Sequence, residues 1–191
     1  MPITVAIIGA GPLGRWLALS AARAGFQVLL EDVMPANLHH AQEYIREQTG
    51  PDKLPAVTFV STIEDAVREA DLAIDYVPDE LESKLEILWL LDRMAPPRTV
   101  LATPTTRLSI ADLANCTYRP AKCVAIAQEA SSLATNAGGE ILLRTTSRTS
   151  PDTVDLVKNF WQMLGFIPRF EPDPAEIPAS WAPLFTARGA R

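Results

Sequence analysis

A glycine-rich turn between a strand and a helix constrains the fold of this chain more than any other feature. Residues Thr4 to Ile8 form an apolar, β-branched run, which predicts a strand buried on both faces of a parallel sheet. The segment Gly-Ala-Gly-Pro-Leu-Gly follows at residues 9–14, and helical spacing of apolar and small residues continues from there to Gly25. A second strand, Phe26 to Glu31, completes a βαβ unit.

Each glycine of this turn has its own physical role. Gly9 permits a tight turn, Gly11 lets the backbone approach a pyrophosphate, and Gly14 lets the helix pack closely on the first strand. The start of the helix presents free N–H groups and a positive dipole end, which bind an anion without a basic side chain. Pro12 has no N–H, so we expect Leu13 to provide more of the phosphate contact. The turn therefore predicts a dinucleotide site.

An acidic residue at the end of the second strand identifies the nucleotide that this site would prefer. Asp32 lies about twenty residues beyond the turn, where a carboxylate accepts hydrogen bonds from the ribose hydroxyls of the adenosine. The same charge repels a 2′-phosphate, so NAD is predicted rather than NADP. Glu31 can share that role. The plain alternatives are an ordinary tight turn for the glycines and a solvated strand end for Asp32.

Helices and strands continue to alternate along the rest of the chain. This order predicts an α/β fold of Rossmann type, with a doubly wound, mostly parallel sheet and helices on both faces. The further predicted elements are a helix from Leu38 to Gln48, a strand from Val57 to Val60, a helix from Ile63 to Glu69 capped by Ser61 or Thr62, a strand from Asp71 to Val77, a helix from Glu80 to Met94, a strand from Thr99 to Thr103, a short helix begun by Ser109, strands from Lys122 to Ala127 and from Glu140 to Thr145, and a helix from Pro151 to Leu164.

The end of the chain has a different composition. Closely spaced prolines prevent any long helix or central strand from Ile167 onward. These prolines are Pro168, Pro172, Pro174, Pro178 and Pro183. We therefore predict an NAD-binding Rossmann domain over residues 1–170 and a Pro-rich C-terminal tail over 171–191. Trp181, Leu184 and Phe185 are unusual for a solvated tail, so it either packs on this domain or on a partner subunit, or it frays.

Composition limits the partners of the chain. With 191 residues, 48% of them hydrophobic and 21% charged, the chain suits one globular domain. A net charge of −6 without a basic run argues against nucleic acid. No apolar stretch approaches membrane-spanning length, and the apolar start lacks a basic leader, so no membrane association is predicted. Cys116 and Cys123 fit no metal or redox spacing, so we expect no metal site, half-buried thiols and a cytoplasmic location.

Two loops are expected to border the nicotinamide, because ligands of this fold lie at the carboxyl edge of the sheet. Val77-Pro78-Asp79 follows the fourth predicted strand, and residues 103–106, Thr-Pro-Thr-Thr, follow the fifth. Lys84 begins the next helix and can reach back to the same region. Its plain alternative is a surface lysine.

The chain resembles the NAD-binding domain of the 3-hydroxyacyl-CoA dehydrogenases, including 3-hydroxybutyryl-CoA dehydrogenases, over about residues 3 to 170. The motifs that carry the resemblance are VAIIGAGPLG, VLLED, ADLAIDYVPDELESKLEIL, LDRMAPPRTVLATPTTRLSIADLA and YRP. The resemblance implies NAD, a role in fatty acid metabolism, and cofactor contacts near Val77. It also implies that Asp79 and Lys84 contact the nicotinamide-side ribose, although Asp79 replaces the family's usual Glu. The family's helical second domain has no counterpart in this sequence.

The resemblance fails at the residues that would carry catalysis. The family's Ser-Asn-Thr-Ser signature becomes Thr-Pro-Thr-Thr, in which Thr106 keeps a useful hydroxyl. The family's His-Phe-Phe-Asn-Pro, whose His moves the substrate proton, aligns with residues 127–131, where Glu129 is the titratable residue. The Glu that orients the family's His aligns near Leu142, two places from Glu140. The chain's histidines, His39 and His40, are predicted as solvated helix residues on the adenosine side.

These observations leave three functions open. The first is an oxidoreductase related to the family, with weakened or absent catalysis on a 3-hydroxyacyl, CoA-linked or small 3-hydroxy substrate. The second is a non-catalytic module that binds or senses NAD(H), or a subunit of a larger assembly. A flavoprotein ranks last, since nothing downstream suggests an isoalloxazine pocket. We also expect a homodimer, because the surface that the family's helical domain covers would otherwise be exposed.

Overall fold

A computed structural model describes residues 3–49, 57–128 and 138–177. Its strands are β1 (Thr4–Ile8), β2 (Gln27–Glu31), β3 (Val57–Val60), β4 (Leu72–Asp75), β5 (Val100–Pro104), β6 (Cys123–Ile126), β7 (Glu140–Thr145) and β8 (Ile167–Pro172). Its helices are α1 (Pro12–Arg23), α2 (Pro35–Thr49), α3 (Ile63–Val67), α4 (Leu81–Met94), α5 (Ile110–Asn115) and α6 (Pro151–Met163). Short 3₁₀ turns cover Pro120–Lys122 and Pro174–Glu176.

The strands form one sheet in the order β3-β2-β1-β4-β5-β6-β7-β8 across the described residues. All neighbouring pairs are parallel except β6 and β7, which are antiparallel. The chain runs outward from β1 to β3 and then reverses from β4 onward, so the switch point of the topology lies between β1 and β4. Ligands of doubly wound sheets bind at the carboxyl end of the strands beside such a point. The predicted Rossmann-type fold class is confirmed.

The hydrophobic core has two layers, one on each face of the sheet. On β1, Val5 and Ile7 face one layer while Ala6 and Ile8 face the other, as the two-residue repeat of a strand requires. Helices α1, α2 and α6 bury apolar residues in the first layer, and α3, α4 and α5 do so in the second. Of the described helices, none has the length and apolar character needed to cross a bilayer.

Helix starts follow the predicted capping residues closely. The side chain of Thr62 accepts a hydrogen bond from the N–H of Asp65, and that of Ser109 accepts one from Asp112. Helix α2 begins at Pro35, three residues before the predicted start, because a proline is compatible with the first turn of a helix. Of the two cysteines, which are both free, Cys123 is buried and Cys116 is exposed rather than half-buried.

Strand β8 occupies a stretch where the sequence predicts no central strand. It lies at the edge of the sheet, with Pro168 opposite Ile141 and Pro172 opposite Thr145. Edge strands tolerate prolines because one side of the backbone needs no hydrogen-bond partner. The boundary drawn after residue 170 therefore falls inside β8, and the sheet extends further than the sequence indicates.

The residues after β8 are attached to the domain as far as the structure describes them. Asp173 is buried, and its Oδ2 accepts hydrogen bonds from Ser109 Oγ at 2.9 Å and Ala111 N at 2.8 Å. This carboxylate caps α5 from a distant part of the chain. Trp181, Leu184 and Phe185 lie outside the described residues, so the division into domain and tail stays a prediction.

Candidate functional site

The glycine turn is held by its own backbone. Gly9 has a φ of +105°, a conformation that favours glycine, and its N–H donates to Glu31 O at 2.8 Å. A Cβ on Gly14 would lie 1.8 Å from Gly9 O, so no side chain fits there. At Gly11 the backbone is extended, and a Cβ would meet nothing within 4 Å. Two glycines therefore shape the turn, and the third leaves open space beside it.

The amino terminus of α1 faces this open space, and no side chain of the first turn compensates its free N–H groups or its positive dipole end. Gly11 is the N-cap, Pro12 is the first residue, and the first turn contains neither a side-chain cap nor an acidic residue. The first N–H groups of a helix have no partners within the helix, and the macrodipole makes this end positive. Together with the room at Gly11, this end fits the pyrophosphate of a dinucleotide.

Asp32 is more firmly held than the sequence suggests. It is 8% exposed, and its Oδ2 accepts hydrogen bonds from Ala10 N at 2.8 Å and Asn37 Nδ2 at 3.0 Å. Its Oδ1 accepts one from Met34 N at 2.8 Å. A carboxylate has about four acceptor sites, so one remains for a ribose hydroxyl. Asp32 also anchors the glycine turn to the end of β2 through Ala10 N, a structural role that was not predicted from the sequence.

The neighbouring carboxyl group lies in a different environment. Glu31 is 5% exposed. Burial, together with the nearby charge of Asp32, raises the pKa of Glu31 to about 7. Near neutral pH the two adjacent residues therefore carry less than two full negative charges.

A second part of the same edge forms a small cleft of about 170 Å³, which we call the β4–β6 cleft. It is lined by Leu13, Tyr76, Val77, Asp79, Pro104, Thr105, Thr106 and Gln128. Four residues that the sequence predicts as site residues meet here, namely Leu13, Val77, Asp79 and Thr106. The N–H of Thr106 donates to Asp79 Oδ2 at 3.2 Å, which links the loops after β4 and β5. These loops do border one cleft, as their places at the carboxyl edge predict.

Lys84, which the sequence also predicts as a site residue, does not line the β4–β6 cleft. Its side chain is fully buried, and its Nζ donates to Oδ1 of the equally buried Asp75 at 2.6 Å. Burial raises the pKa of Asp75, while Lys84 counteracts that shift. Lys84 is therefore not a surface lysine, and it is not among the residues that line the β4–β6 cleft. Asp75 was missed, although a single acidic residue inside the apolar strand Leu-Ala-Ile-Asp could have signalled a buried partner.

Three buried side-chain oxygens at the β4–β6 cleft have no hydrogen-bond partner within the described part of the chain. They are Tyr76 Oη, Asp79 Oδ1 and Gln128 Oε1. Buried polar atoms in folded proteins are almost always paired, so three such atoms on one cleft fit a site for a polar ligand. Neither Tyr76 nor Gln128 was assigned a site role from the sequence: Tyr76 lies within one of the resemblance motifs without a role of its own, and Gln128 belongs to none of them.

The remaining catalytic candidates are dispersed. Glu129 lies outside the described residues. Glu140 begins β7 and pairs with Arg169 at 3.1 Å on the sheet edge. His39 lies on α2, is largely exposed and faces Glu43 at 3.5 Å, which agrees with a solvated helix residue. Burial and the charge of Asp75 raise the pKa of Tyr76, so its hydroxyl stays protonated at neutral pH.

A larger cavity lies at the amino ends of the strands, on the side of the sheet opposite the glycine turn. It measures about 870 Å³ and includes Thr4, Asp71 and Arg98 among its lining residues. Arg98 is already paired with Asp71 at 2.9 Å. The volume of this cavity exceeds that of the β4–β6 cleft. The cavity nevertheless lies away from the glycine turn, because it is at the amino ends of the strands.

The fold and the glycine turn define a Rossmann-type dinucleotide-binding domain. The family model for the 3-hydroxyacyl-CoA dehydrogenase NAD binding domain matches residues 4–168. The chain belongs to this family, whose cofactor is NAD, and the resemblance drawn from the sequence is confirmed.

Individual relatives support the same assignment. A probable 3-hydroxybutyryl-CoA dehydrogenase of Bacillus subtilis is 29% identical over 133 residues, which cover 63% of this chain and 46% of that protein. An L-carnitine dehydrogenase of Burkholderia mallei is 32% identical over 180 residues, with coverage of 86% and 53%. The crystal structure of an NAD⁺-dependent 5-formyl-3-hydroxy-2-methylpyridine 4-carboxylic acid 5-dehydrogenase matches with a TM-score of 0.75 and 26% identity, covering 98% of this chain and 63% of that one. The chain spans about half the length of these curated relatives.

Proposed function

We propose that this chain holds NAD(H) along the carboxyl edge of the sheet. The pyrophosphate would lie at the glycine turn, where Gly9 and Gly14 set the backbone and Gly11 provides room, with the N–H of Leu13 as a donor. Asp32 would accept a ribose hydroxyl on the adenosine side. The single observation that carries the proposal is the open space at Gly11 beside a helix end that has no cap of its own.

The other end of the cofactor would lie at the β4–β6 cleft. NAD would supply a nicotinamide ring that accepts or returns a hydride. Asp79 and Val77 would contact the nicotinamide side, and Thr106 would present a hydroxyl to a substrate oxygen. Lys84 would act through the buried pair with Asp75, by fixing the end of β4, rather than by direct contact.

We propose further that hydride transfer to or from a 3-hydroxyacyl or small 3-hydroxy substrate is weak or absent. Such transfer needs a base for the hydroxyl proton, and a threonine is not one at neutral pH. Of the described residues on the cleft, Asp79 and Tyr76 are titratable, but in this proposal Asp79 faces the nicotinamide side of the cofactor rather than the substrate hydroxyl, and Tyr76 stays protonated. Loss of an acid–base group removes a factor of about a hundred to ten thousand.

The second candidate function is an NAD(H)-binding or sensing module, or a subunit of a larger assembly. The observation that favours it is the lining of the β4–β6 cleft, which contains hydrogen-bonding groups but no histidine among the residues described. A second subunit would then supply any missing base.

Association of two copies and a cytoplasmic location belong to the same proposal. Three apolar side chains of α4 are about half exposed: Leu81, Trp89 and Met94. Exposed apolar groups of this size gain by burial against a partner, which favours a homodimer.

The proposal is tested by two measurements on one sample. NADH binding is followed by the change in nicotinamide fluorescence, and acetoacetyl-CoA is then added to measure reduction. We expect saturable NADH binding with turnover at least a hundredfold below an ordinary enzyme rate of about ten per second. Absence of NADH binding would overturn the cofactor site. Turnover near ten per second would contradict weakened catalysis and direct attention to Glu129, Glu140 or a neighbouring subunit.

A further inference from the structure

The β4–β6 cleft carries an unbalanced charge. Among the described residues that line it, Asp79 is the one with a charged side chain. Lys84, a fully buried cation on α4, is already neutralised by Asp75 at 2.6 Å. The described residues of the cleft therefore present one negative charge to whatever binds in it.

Only half of the Asp79 carboxylate is satisfied. Its Oδ2 accepts a hydrogen bond from Thr106 N at 3.2 Å, which fixes the group in place. Its Oδ1 is buried and has no hydrogen-bond partner in the described part of the chain. A buried carboxylate oxygen without a donor is costly, and a cation brought close to it lowers that cost.

The position of the cleft indicates which part of the cofactor approaches this charge. This step rests on the proposed function. With the adenosine at Asp32, directly after β2, and the pyrophosphate at the turn after β1, the rest of the dinucleotide would extend across the switch point toward β4 and β5. The β4–β6 cleft lies there, and Leu13 of the glycine turn forms part of its wall.

Oxidised and reduced nicotinamide differ in charge. The oxidised ring is a pyridinium with one positive charge, whereas the reduced ring is neutral. We propose that Asp79 makes this site favour the oxidised cofactor, so that the chain discriminates between NAD⁺ and NADH by the charge of the ring. Because Asp79 is partly desolvated, its attraction for a cation is weakened by salt less than that of a surface carboxylate.

The other described charges in and beside these loops do not remove this effect. Glu80 and Arg107 adjoin the two loops, but both are exposed to solvent and have opposite signs. Asp75 and Lys84 lie beneath the cleft as a neutral pair. A tenfold contribution of Asp79 to the affinity ratio corresponds to about 1.4 kcal/mol.

The experiment compares three ligands by calorimetric titration: NAD⁺, NADH and ADP-ribose, which lacks the nicotinamide. The variants are Asp79→Asn, which removes the charge while keeping the shape, and Asp79→Glu, which keeps the charge. Glu80→Gln is the matched control, because it removes a neighbouring exposed carboxylate. The measured quantity is the ratio of the NADH and NAD⁺ dissociation constants.

We expect Asp79→Asn to weaken NAD⁺ binding about tenfold while NADH and ADP-ribose change less than about twofold. Asp79→Glu and Glu80→Gln should keep the wild-type ratio. An unchanged ratio in Asp79→Asn would overturn the inference, even with NADH bound normally. If ADP-ribose and both dinucleotides fail to bind the wild-type chain, the proposed function fails and the inference fails with it.

Discussion

The glycine turn and the β4–β6 cleft lie on the same edge of the sheet, yet they are built in different ways. The turn is local: Gly9, Gly14 and Asp32 belong to one βαβ unit, and each acts through backbone geometry or a bond to that backbone. The cleft is assembled by topology, since Asp79 and Gln128 come from loops after different strands. In the proposed function, a local motif would fix where the nucleotide binds, whereas residues from separate loops would determine the chemistry at the nicotinamide end.

The largest expected effect concerns the buried pair beneath the cleft. Lys84→Met removes the partner of a fully buried carboxylate, so we expect the free energy of unfolding to fall by about 3–5 kcal/mol. Urea denaturation measures this. Lys158→Met, at an exposed position on α6, is the control and should change stability by less than about 0.5 kcal/mol.

The double variant sharpens this test. Asp75→Val combined with Lys84→Met replaces the pair by apolar side chains and should recover most of the loss. A Lys84→Met variant within about 1 kcal/mol of the wild type would show that the pair does not hold the end of β4, and the contrast between the two regions would weaken.

The next effect concerns the adenosine end. The wild-type chain should bind NADH at least several-fold more tightly than NADPH, because Asp32 repels a 2′-phosphate. Asp32→Ala should narrow that preference and weaken NADH binding as well, since Ala10 N and Met34 N lose their acceptor. Fluorescence titrations with both nucleotides measure the ratio.

Asn37→Ala is the matched control, because it removes a donor to Asp32 but leaves the carboxylate in place. It should keep the NADH preference. Equal or reversed affinities in the wild-type chain would remove Asp32 from this role.

Much of the fold and part of the site follow from the sequence alone. Predicted β1, β3 and β7 agree with the structure residue by residue, because apolar runs bounded by glycines or capping residues have few alternatives. The structure agrees with the tight turn predicted at Gly9 and the close packing predicted at Gly14, since a backbone motif carries its own shape, while the pyrophosphate approach at Gly11 stays a prediction. In contrast, Tyr76 and Gln128 could not be assigned, because their places on the cleft depend on residues distant in the chain. Asp75 was overlooked, although an acidic residue in an apolar strand indicates a buried partner.

Strand β8 shows a different limit of the sequence. The prolines were predicted to exclude a central strand, and Pro168 and Pro172 do lie on an edge strand, where a missing N–H is tolerated. A rule that excludes central strands does not exclude edge strands, and the pairing with β7 became visible only from the topology.

The last effect on stability is a pH dependence from Glu31. Its pKa is raised from 4.5 to about 7 in the folded chain, so the folded state holds this proton more tightly. The resulting stability is present below pH 4.5 and is lost as the pH rises through 7. Glu31→Gln should therefore be more stable than the wild type at pH 8 by about 1–2 kcal/mol, allowing for partial solvent screening, and nearly equal to it at pH 5.

Thermal or urea unfolding at the two pH values checks this expectation. Glu47→Gln, on the exposed surface of α2, is the control and should show the same small difference at both. A Glu31→Gln variant whose advantage does not grow from pH 5 to pH 8 would contradict the burial of this carboxyl group.

The most direct test of the account is ADP-ribose and NADH binding by the Gly11→Val variant. A Cβ at Gly11 would meet nothing within 4 Å in the described part of the chain beyond its two sequence neighbours, and the extended backbone there suits any residue. The variant should therefore fold with an unchanged circular dichroism spectrum and melting temperature. It would occupy the space proposed for the pyrophosphate, and calorimetry should detect no binding of either ligand. Wild-type affinity in a normally folded Gly11→Val protein would contradict the account, because the dinucleotide would then lie elsewhere.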